Sequence, residues 1–145
     1  MNLERTLTIV KPDGVHQGIA GQIISRFEAE GFRIVAMKMV RLTRAQAEAF
    51  YSVHRERPFY ASLTKFMSSG PCVPMVLEGP DVIHRLREVM GATDPAKADE
   101  GTIRRGLASS VERNVVHGSD SPATAASEIG FFFDALEVCG REGES

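Results

Sequence analysis

At 145 residues, with 17 basic against 19 acidic side chains, the chain has the size of one domain and no bulk electrostatic pull on nucleic acid or an anionic membrane. Charges of both signs are interspersed, so any phosphate site must be local, and no apolar run approaches a membrane span. Cys72 and Cys139 form neither a CxxC pair nor a disulfide framework, which fits a reducing compartment and makes a cytoplasmic location the expectation.

In chain order, Leu7 to Val10 is a β-branched, apolar run that predicts a buried strand. Pro12, Asp13 and Gly14 stop it in a turn that also carries Lys11, and no secretory leader is expected there. Ile23, Ile24 and Phe27 fall at helical spacing between Gly21 and Glu30, and Gly31 caps that helix. Ile34 to Leu42 alternates as a strand with one wet face. Thr43 is placed to cap a helix over Arg44 to Tyr51, and a second short helix over Ala61 to Met67 completes a hairpin. Val73 to Leu77 reads as the third strand, Asp81 to Met90 as a helix, and Val115 to Val116 as a short strand ending at His117. Ser121 and Pro122 open a last helix that runs to about Phe132. Without the hairpin and the long polar loop from Gly91 to Arg113, the order is strand, helix, strand, strand, helix, strand. That order is the split βαβ pattern of ferredoxin-like folds, an α+β class with a four-stranded antiparallel sheet, and residues 1–145 are expected to form one domain. A loop as long as Gly91 to Arg113 points to function.

The most informative stretch is Asn114-Val115-Val116-His117-Gly118-Ser119-Asp120-Ser121, where an imidazole leaves a buried strand and meets a glycine that admits close neighbours. Neutral imidazole is a nucleophile near pH 7, and it needs a partner on its second nitrogen to fix the tautomer. Glu128, seven residues beyond Ser121 on the last helix, is the candidate partner. Phosphoryl transfer also needs cations and donors for the charge on the phosphoryl oxygens, and Lys11, Arg87 and Arg104 sit at element ends. Thr93 has a hydroxyl for a phosphate and Phe59 a ring face for a base; a turn cap and a core position are their alternatives. Neither a P-loop nor a GxGxxG fingerprint is present, and the histidines and cysteines show no metal-ligand spacing. Magnesium would arrive with the nucleotide, with Asp120 near enough to His117 to hold one of its waters.

These stretches together resemble the nucleoside diphosphate kinase family. The similarity runs through ERTLTIVKPDGV, RFEAEGFRIVAMKMV, FYSVHRERPFY, SSGPCVPMVLEG, MGATDP, EGTIRR and HGSDS, in family order and spacing over nearly the whole chain. The resemblance implies that His117 is the histidine that becomes phosphorylated and Glu128 the carboxylate that orients it. Lys11, Arg87, Thr93 and Arg104 would bind phosphate, with His54 near it. Asn114 and Lys11 would hold the ribose, and Phe59 and Val111 would sandwich the base. Tyr51 and Ser119 would support Lys11 and the His117–Glu128 pair.

The resemblance further implies a ping-pong exchange between nucleoside di- and triphosphates with Mg2+, tolerant of base and sugar, in a homo-oligomer built from dimers as a tetramer or hexamer. One departure concerns Arg105-Gly106-Leu107, where the family commonly has a small residue, an aspartate and an aromatic; the local helix is therefore not assured. The rival from another class is a non-catalytic ferredoxin-like module that binds nucleotide or RNA. The RNA form needs aromatics on the sheet and a basic patch, and Val73 to Leu77 has no aromatic.

Overall fold

The computed structural model describes residues 3–140. Among them a four-stranded antiparallel sheet is built from β1 (Leu3–Val10), β2 (Arg33–Met37), β3 (Val73–Pro80) and β4 (Val116–Gly118), in the spatial order β2-β3-β1-β4. This is the ferredoxin-like α+β arrangement expected from the sequence. Helix α2 (Ala20–Ala29) joins β1 to β2, and the hairpin α3 (Arg44–Phe50) and α4 (Tyr60–Met67) is inserted between β2 and β3. Helix α5 (Val82–Met90) follows β3, and α7 (Pro122–Phe132) follows β4.

The second half of β1 and nearly all of β3 are buried because both faces of the sheet are covered there. Val10, Met75 and Leu77 join Phe27 of α2 and Leu86 of α5 in one buried cluster. Leu7, Ile9 and Val76 point the other way, against Ala47, Phe66 and Phe132. The Thr43 hydroxyl accepts from Gln46 N–H at 3.1 Å while Gln46 Oε1 accepts from Thr43 N–H at 2.9 Å, so α3 starts on a reciprocal cap. Ser121 Oγ accepts from Thr124 N–H at 3.2 Å, with Pro122 in the first turn of α7.

Four expectations need correction. Strand β1 starts at Leu3 because it pairs with β3 as far as Pro80, and Arg5 Nε meets Glu78 Oε2 at 2.8 Å across that pair. Pro12, Asp13 and Gly14 do not form a plain turn: they open a short helix, α1 (Pro12–His16), with the proline in its first turn, where its missing N–H costs nothing. Strand β2 ends at Met37, after a register shift between Ile34 and Ala36; beyond it Lys38 N–H donates to Pro74 O at 3.2 Å and Val40 forms an isolated bridge with Cys72. The long polar loop holds a 3-10 turn at Pro95–Lys97 and helix α6 (Ile103–Leu107). The Arg105-Gly106-Leu107 departure leaves that helix intact: Thr102 caps it, Ile103 and Leu107 reach the core, and Arg105 Nη1 donates to Ala98 O at 3.1 Å.

Candidate active site

Strand β4 lies at the edge of the sheet beside β1 and carries His117 as its middle residue, paired with Ile9, so the strand runs one residue past the histidine at which the sequence ended it. Thr8 Oγ1 donates to the His117 carbonyl at 2.7 Å, which fixes the backbone under the ring. His117 Nε2 lies 2.8 Å from Glu128 Oε1, and Ser119 Oγ donates to the same oxygen at 2.7 Å. Burial works to raise the Glu128 pKa, yet the bond and charge of His117, with help from Ser119 and His54, hold it below the usual carboxylate range. A carboxylate there makes Nε2 the protonated nitrogen and leaves the Nδ1 lone pair for chemistry. Phe50 packs edge-on to the imidazole with centroids 5.5 Å apart.

Gly118 follows, and a Cβ there would stand 2.9 Å from Met90 Sδ on α5, so any side chain would have to displace that methionine. Val115, placed in the strand by its sequence, is outside it with φ of 62°. Val116 N–H donates to Asn114 O at 2.8 Å across it, so a tight three-residue turn precedes the strand. Such a turn at a β-branched residue costs about 1–3 kcal/mol in backbone strain.

His117 opens on a cleft of about 530 Å³ that gathers Lys11, Tyr51, His54, Phe59, Arg87, Thr93, Arg104, Val111, Asn114 and Asp120. Every residue singled out for nucleotide contact thus faces one space, with Ser119 and Glu128 behind the histidine. Lys11 is buried at the end of β1 and donates to Asn114 Oδ1 at 2.9 Å. Burial pushes its ammonium down to about 8; the Arg104 charge adds to this, and Asp13 and Glu112 oppose it. Arg104 of α6 donates to the carbonyls of Gly91 at 3.0 Å and Val116 at 2.8 Å. Burial and then the Arg87 charge lower it to about 10, so it stays a cation at pH 7. The cleft therefore gathers three cations, Lys11, Arg87 and Arg104, beside the carboxylates of Glu112 and Asp120. Phe59 and Val111, 46% and 56% exposed, stand at its mouth with apolar surface toward solvent.

Three of these residues have partners that the sequence did not indicate. The Tyr51 hydroxyl is buried and makes no hydrogen bond among the described residues; the ring instead stacks on His54, and burial raises its pKa far above the ordinary phenol value. Thr93 offers its carbonyl to Asn114 Nδ2 at 3.2 Å, leaving its hydroxyl without a protein hydrogen bond among the described residues. Asp120 pairs with Arg87 Nη1 at 2.8 Å across the cleft rim. Sequence reasoning missed Leu63 and Glu112, which also line the cleft, and Phe50 and Thr8, which hold the histidine. Leu63 was detectable from the register of α4, one turn after Phe59; Glu112 sits in a polar stretch with no periodicity.

The model of the family described as nucleoside diphosphate kinase matches residues 4–138. A nucleoside diphosphate kinase of Desulfosudis oleivorans is 64% identical over 139 residues, which cover 96% of this chain and all of that one. The crystal structure of the Aquifex aeolicus nucleoside diphosphate kinase superposes with a TM-score of 0.92 at 49% identity, covering 94% of this chain and 99% of that one. A halophilic nucleoside diphosphate kinase from Halobacterium salinarum, in complex with CDP, gives a TM-score of 0.93 at 39% identity, covering 97% and 93%. With this agreement over nearly its full length, the chain belongs to the nucleoside diphosphate kinase family and is a phosphotransferase acting on nucleotides.

Proposed function

We propose that the chain moves the terminal phosphoryl group of a nucleoside triphosphate to a nucleoside diphosphate in two half-reactions through a phosphohistidine at His117. The observation that carries this reading is the imidazole held by Glu128 on one nitrogen while its ring faces a cleft lined by Lys11, Arg87 and Arg104. In the first half-reaction the Nδ1 lone pair attacks the γ-phosphorus, and the bond from phosphorus to the bridging oxygen breaks, releasing a diphosphate. In the second, a terminal oxygen of another diphosphate attacks the same phosphorus and the P–N bond breaks. One phosphoanhydride replaces another, so neither direction is strongly favoured.

Glu128 stabilises the positive charge that grows on the ring as the P–N bond forms. Lys11 and the two arginines stabilise the phosphoryl oxygens, where most of the transition-state charge lies. Lys11 and Asn114, already hydrogen-bonded to each other, are assigned the ribose hydroxyls, and Thr93 and His54 are assigned to phosphate. Tyr51 is assigned to the cleft wall beside His54. Phe59 and Val111 take the base between them; contact with faces rather than edges supports tolerance of different bases. The CDP held by the Halobacterium salinarum relative supports acceptance of a pyrimidine nucleotide here.

The residues present suit Mg2+ held mainly by phosphates and water: Asp120 is an exposed carboxylate on the rim, and no cluster of three or more metal-binding side chains occurs among the described residues. When bound, Mg2+ neutralises the β- and γ-phosphate oxygens. A cytoplasmic, single-domain protein assembled from dimers completes the reading. No described helix is long and apolar enough to cross a membrane, and β2 is an edge strand with Met37 exposed at its end.

The test mixes the protein with γ-labelled ATP and Mg2+ without acceptor, then chases with unlabelled GDP or CDP. Label that is acid-labile and alkali-stable, moves to the added diphosphate and is absent from His117→Ala is the expected result. Label on a folded His117→Ala variant refutes the nucleophile; no label on the unaltered protein refutes the whole route.

A further inference from the structure

The turn before His117 is strained, and three groups hold it. Lys11 N–H donates to Val115 O at 2.8 Å, and Arg104 donates to the carbonyls of Asn114 and Val116. Asp13 Oδ2 accepts from Val115 N–H at 3.2 Å. Lys11 and Arg104 also face the cleft, so either has a second reason to be where it is. Asp13 does not line that cleft. Its carboxylate, 6% exposed, sits in the first turn of α1, and the Val115 bond is its only side-chain hydrogen bond to another element among the described residues.

Burying a carboxylate is unfavourable unless a specific bond compensates it. Here the acceptor meets the N–H of Val115, the residue whose φ is positive. The approach is built in on the other side as well: a Cβ on Gly14 would lie 2.9 Å from Val10 Cγ1 and 3.4 Å from Val115 O, so the missing side chain lets α1 press against the turn. Relaxing Val115 to an ordinary extended conformation would change the direction in which the chain enters β4. Val116 and His117 would then lose their pairing with Val10 and Ile9, and the imidazole its 2.8 Å approach to Glu128.

We propose that Asp13 is a positioning residue for phosphoryl transfer, its carboxylate pinning the strained turn at Val115 so that the His117 ring is held between Glu128 and the cleft. The inference rests on the reading of His117 as the phosphorylated residue. It makes Asp13 matter for the rate at which the ring is phosphorylated and little for nucleotide affinity.

The experiment compares Asp13→Ala with Asp13→Asn, whose amide oxygen still accepts from Val115 N–H. Single-turnover labelling by ATP and Mg2+ gives the maximal rate, calorimetry gives ADP affinity, and the ¹⁵N shifts of the His117 ring report its tautomer and its bond to Glu128. A ring displaced by an ångström costs about 100-fold in rate, so Asp13→Ala is expected to label about 100-fold more slowly with altered ring shifts. ADP affinity is expected to stay within about threefold, and Asp13→Asn to recover most of the rate and the native shifts. Wild-type labelling by Asp13→Ala, or Asp13→Asn no better than Asp13→Ala, overturns the proposal. Should Asp13→Ala not fold, the same change is made in Val115→Gly, where positive φ carries no Cβ penalty. Recovery of folding and labelling there supports the pin, and no recovery overturns it. Failure of the unaltered protein to take label would fault the reading of His117 itself, a result distinct from all of these.

Discussion

Glu128→Gln keeps the shape of the side chain beside His117 Nε2 and removes its charge. At 2.8 Å and an effective dielectric constant of ~20, a full positive charge on the ring gains about 6 kcal/mol from the carboxylate. With about half that charge developed in a loose transition state, about 3 kcal/mol of the barrier depends on it, which is ~150-fold in rate. The amide oxygen still accepts from Nε2, so the loss is that of charge and not of the ring's tether. Glu128 does not line the cleft, so ADP affinity should change by less than about threefold. Because its pKa is held below the usual carboxylate range, the contribution is present across neutral pH and is lost only as pH falls through that lowered value. Rapid-quench labelling by ATP at saturating concentration measures the effect. A Gln variant labelling within about threefold of the unaltered protein would mean that the ring needs no charge behind it, and the electrostatic argument would fail.

Two further outcomes follow from the cleft and its floor. Phe59→Ala should weaken ADP, GDP and CDP alike by about 1–2 kcal/mol in calorimetric titration, since a stacking face is shared by all bases; a loss confined to one base would contradict that role. Gly118→Ala should lower the melting temperature by ~3–6 °C, because the new methyl meets Met90 Sδ at 2.9 Å and Leu86 Cδ2 at 3.2 Å and the flexible methionine absorbs only part of the clash. An unchanged melting temperature in scanning calorimetry would show that Met90 yields freely.

The strands were legible because a sheet covered on both faces writes itself as short, mostly apolar runs, as in Leu7 to Val10 and Val73 to Leu77. Helix α1 was not, since Pro12-Asp13-Gly14 carries the same signals whether it closes a turn or opens a helix. Helix α6 was obscured by its own composition: two arginines and a glycine in five residues hide the burial of Ile103 and Leu107. In the site, His117 and Glu128 could be paired from spacing alone, because seven residues from the Ser121 cap bring a carboxylate back over the strand. Lys11, Arg87 and Arg104 could be grouped as cations at element ends, but their convergence could not be read from spacing, because it depends on Arg104 folding back onto carbonyls far along the chain. Val115 was the least readable position, since a valine between asparagine and valine is expected in the extended region and its positive φ exists only through partners on other elements.

Those partners bear a cost that nucleotide binding offsets. The Lys11 ammonium is pushed down to about 8 from its ordinary 10.5, chiefly by burial. Holding it charged at pH 7 therefore disfavours folding by about 3 kcal/mol, in full below about pH 8 and progressively less as pH rises toward the unfolded value. On the proposed reading, anionic phosphates entering the cleft add to the counter-charge of Asp13 and Glu112. Lys11→Met, similar in length and without charge, should then raise the stability of the nucleotide-free protein by about 2 kcal/mol, allowing for the partner that Asn114 loses. For a chain of this size that is ~6 °C in melting temperature at pH 7, and the gain should shrink when the melt is repeated near pH 10. The same variant should lose most of its affinity for ADP, so added ADP would raise the melting temperature of the unaltered protein and leave the variant unmoved. A variant that melts below the unaltered protein at pH 7 would show that the Asn114 bond outweighs the burial of the ammonium, and that the empty cleft stores no electrostatic strain for the nucleotide to release.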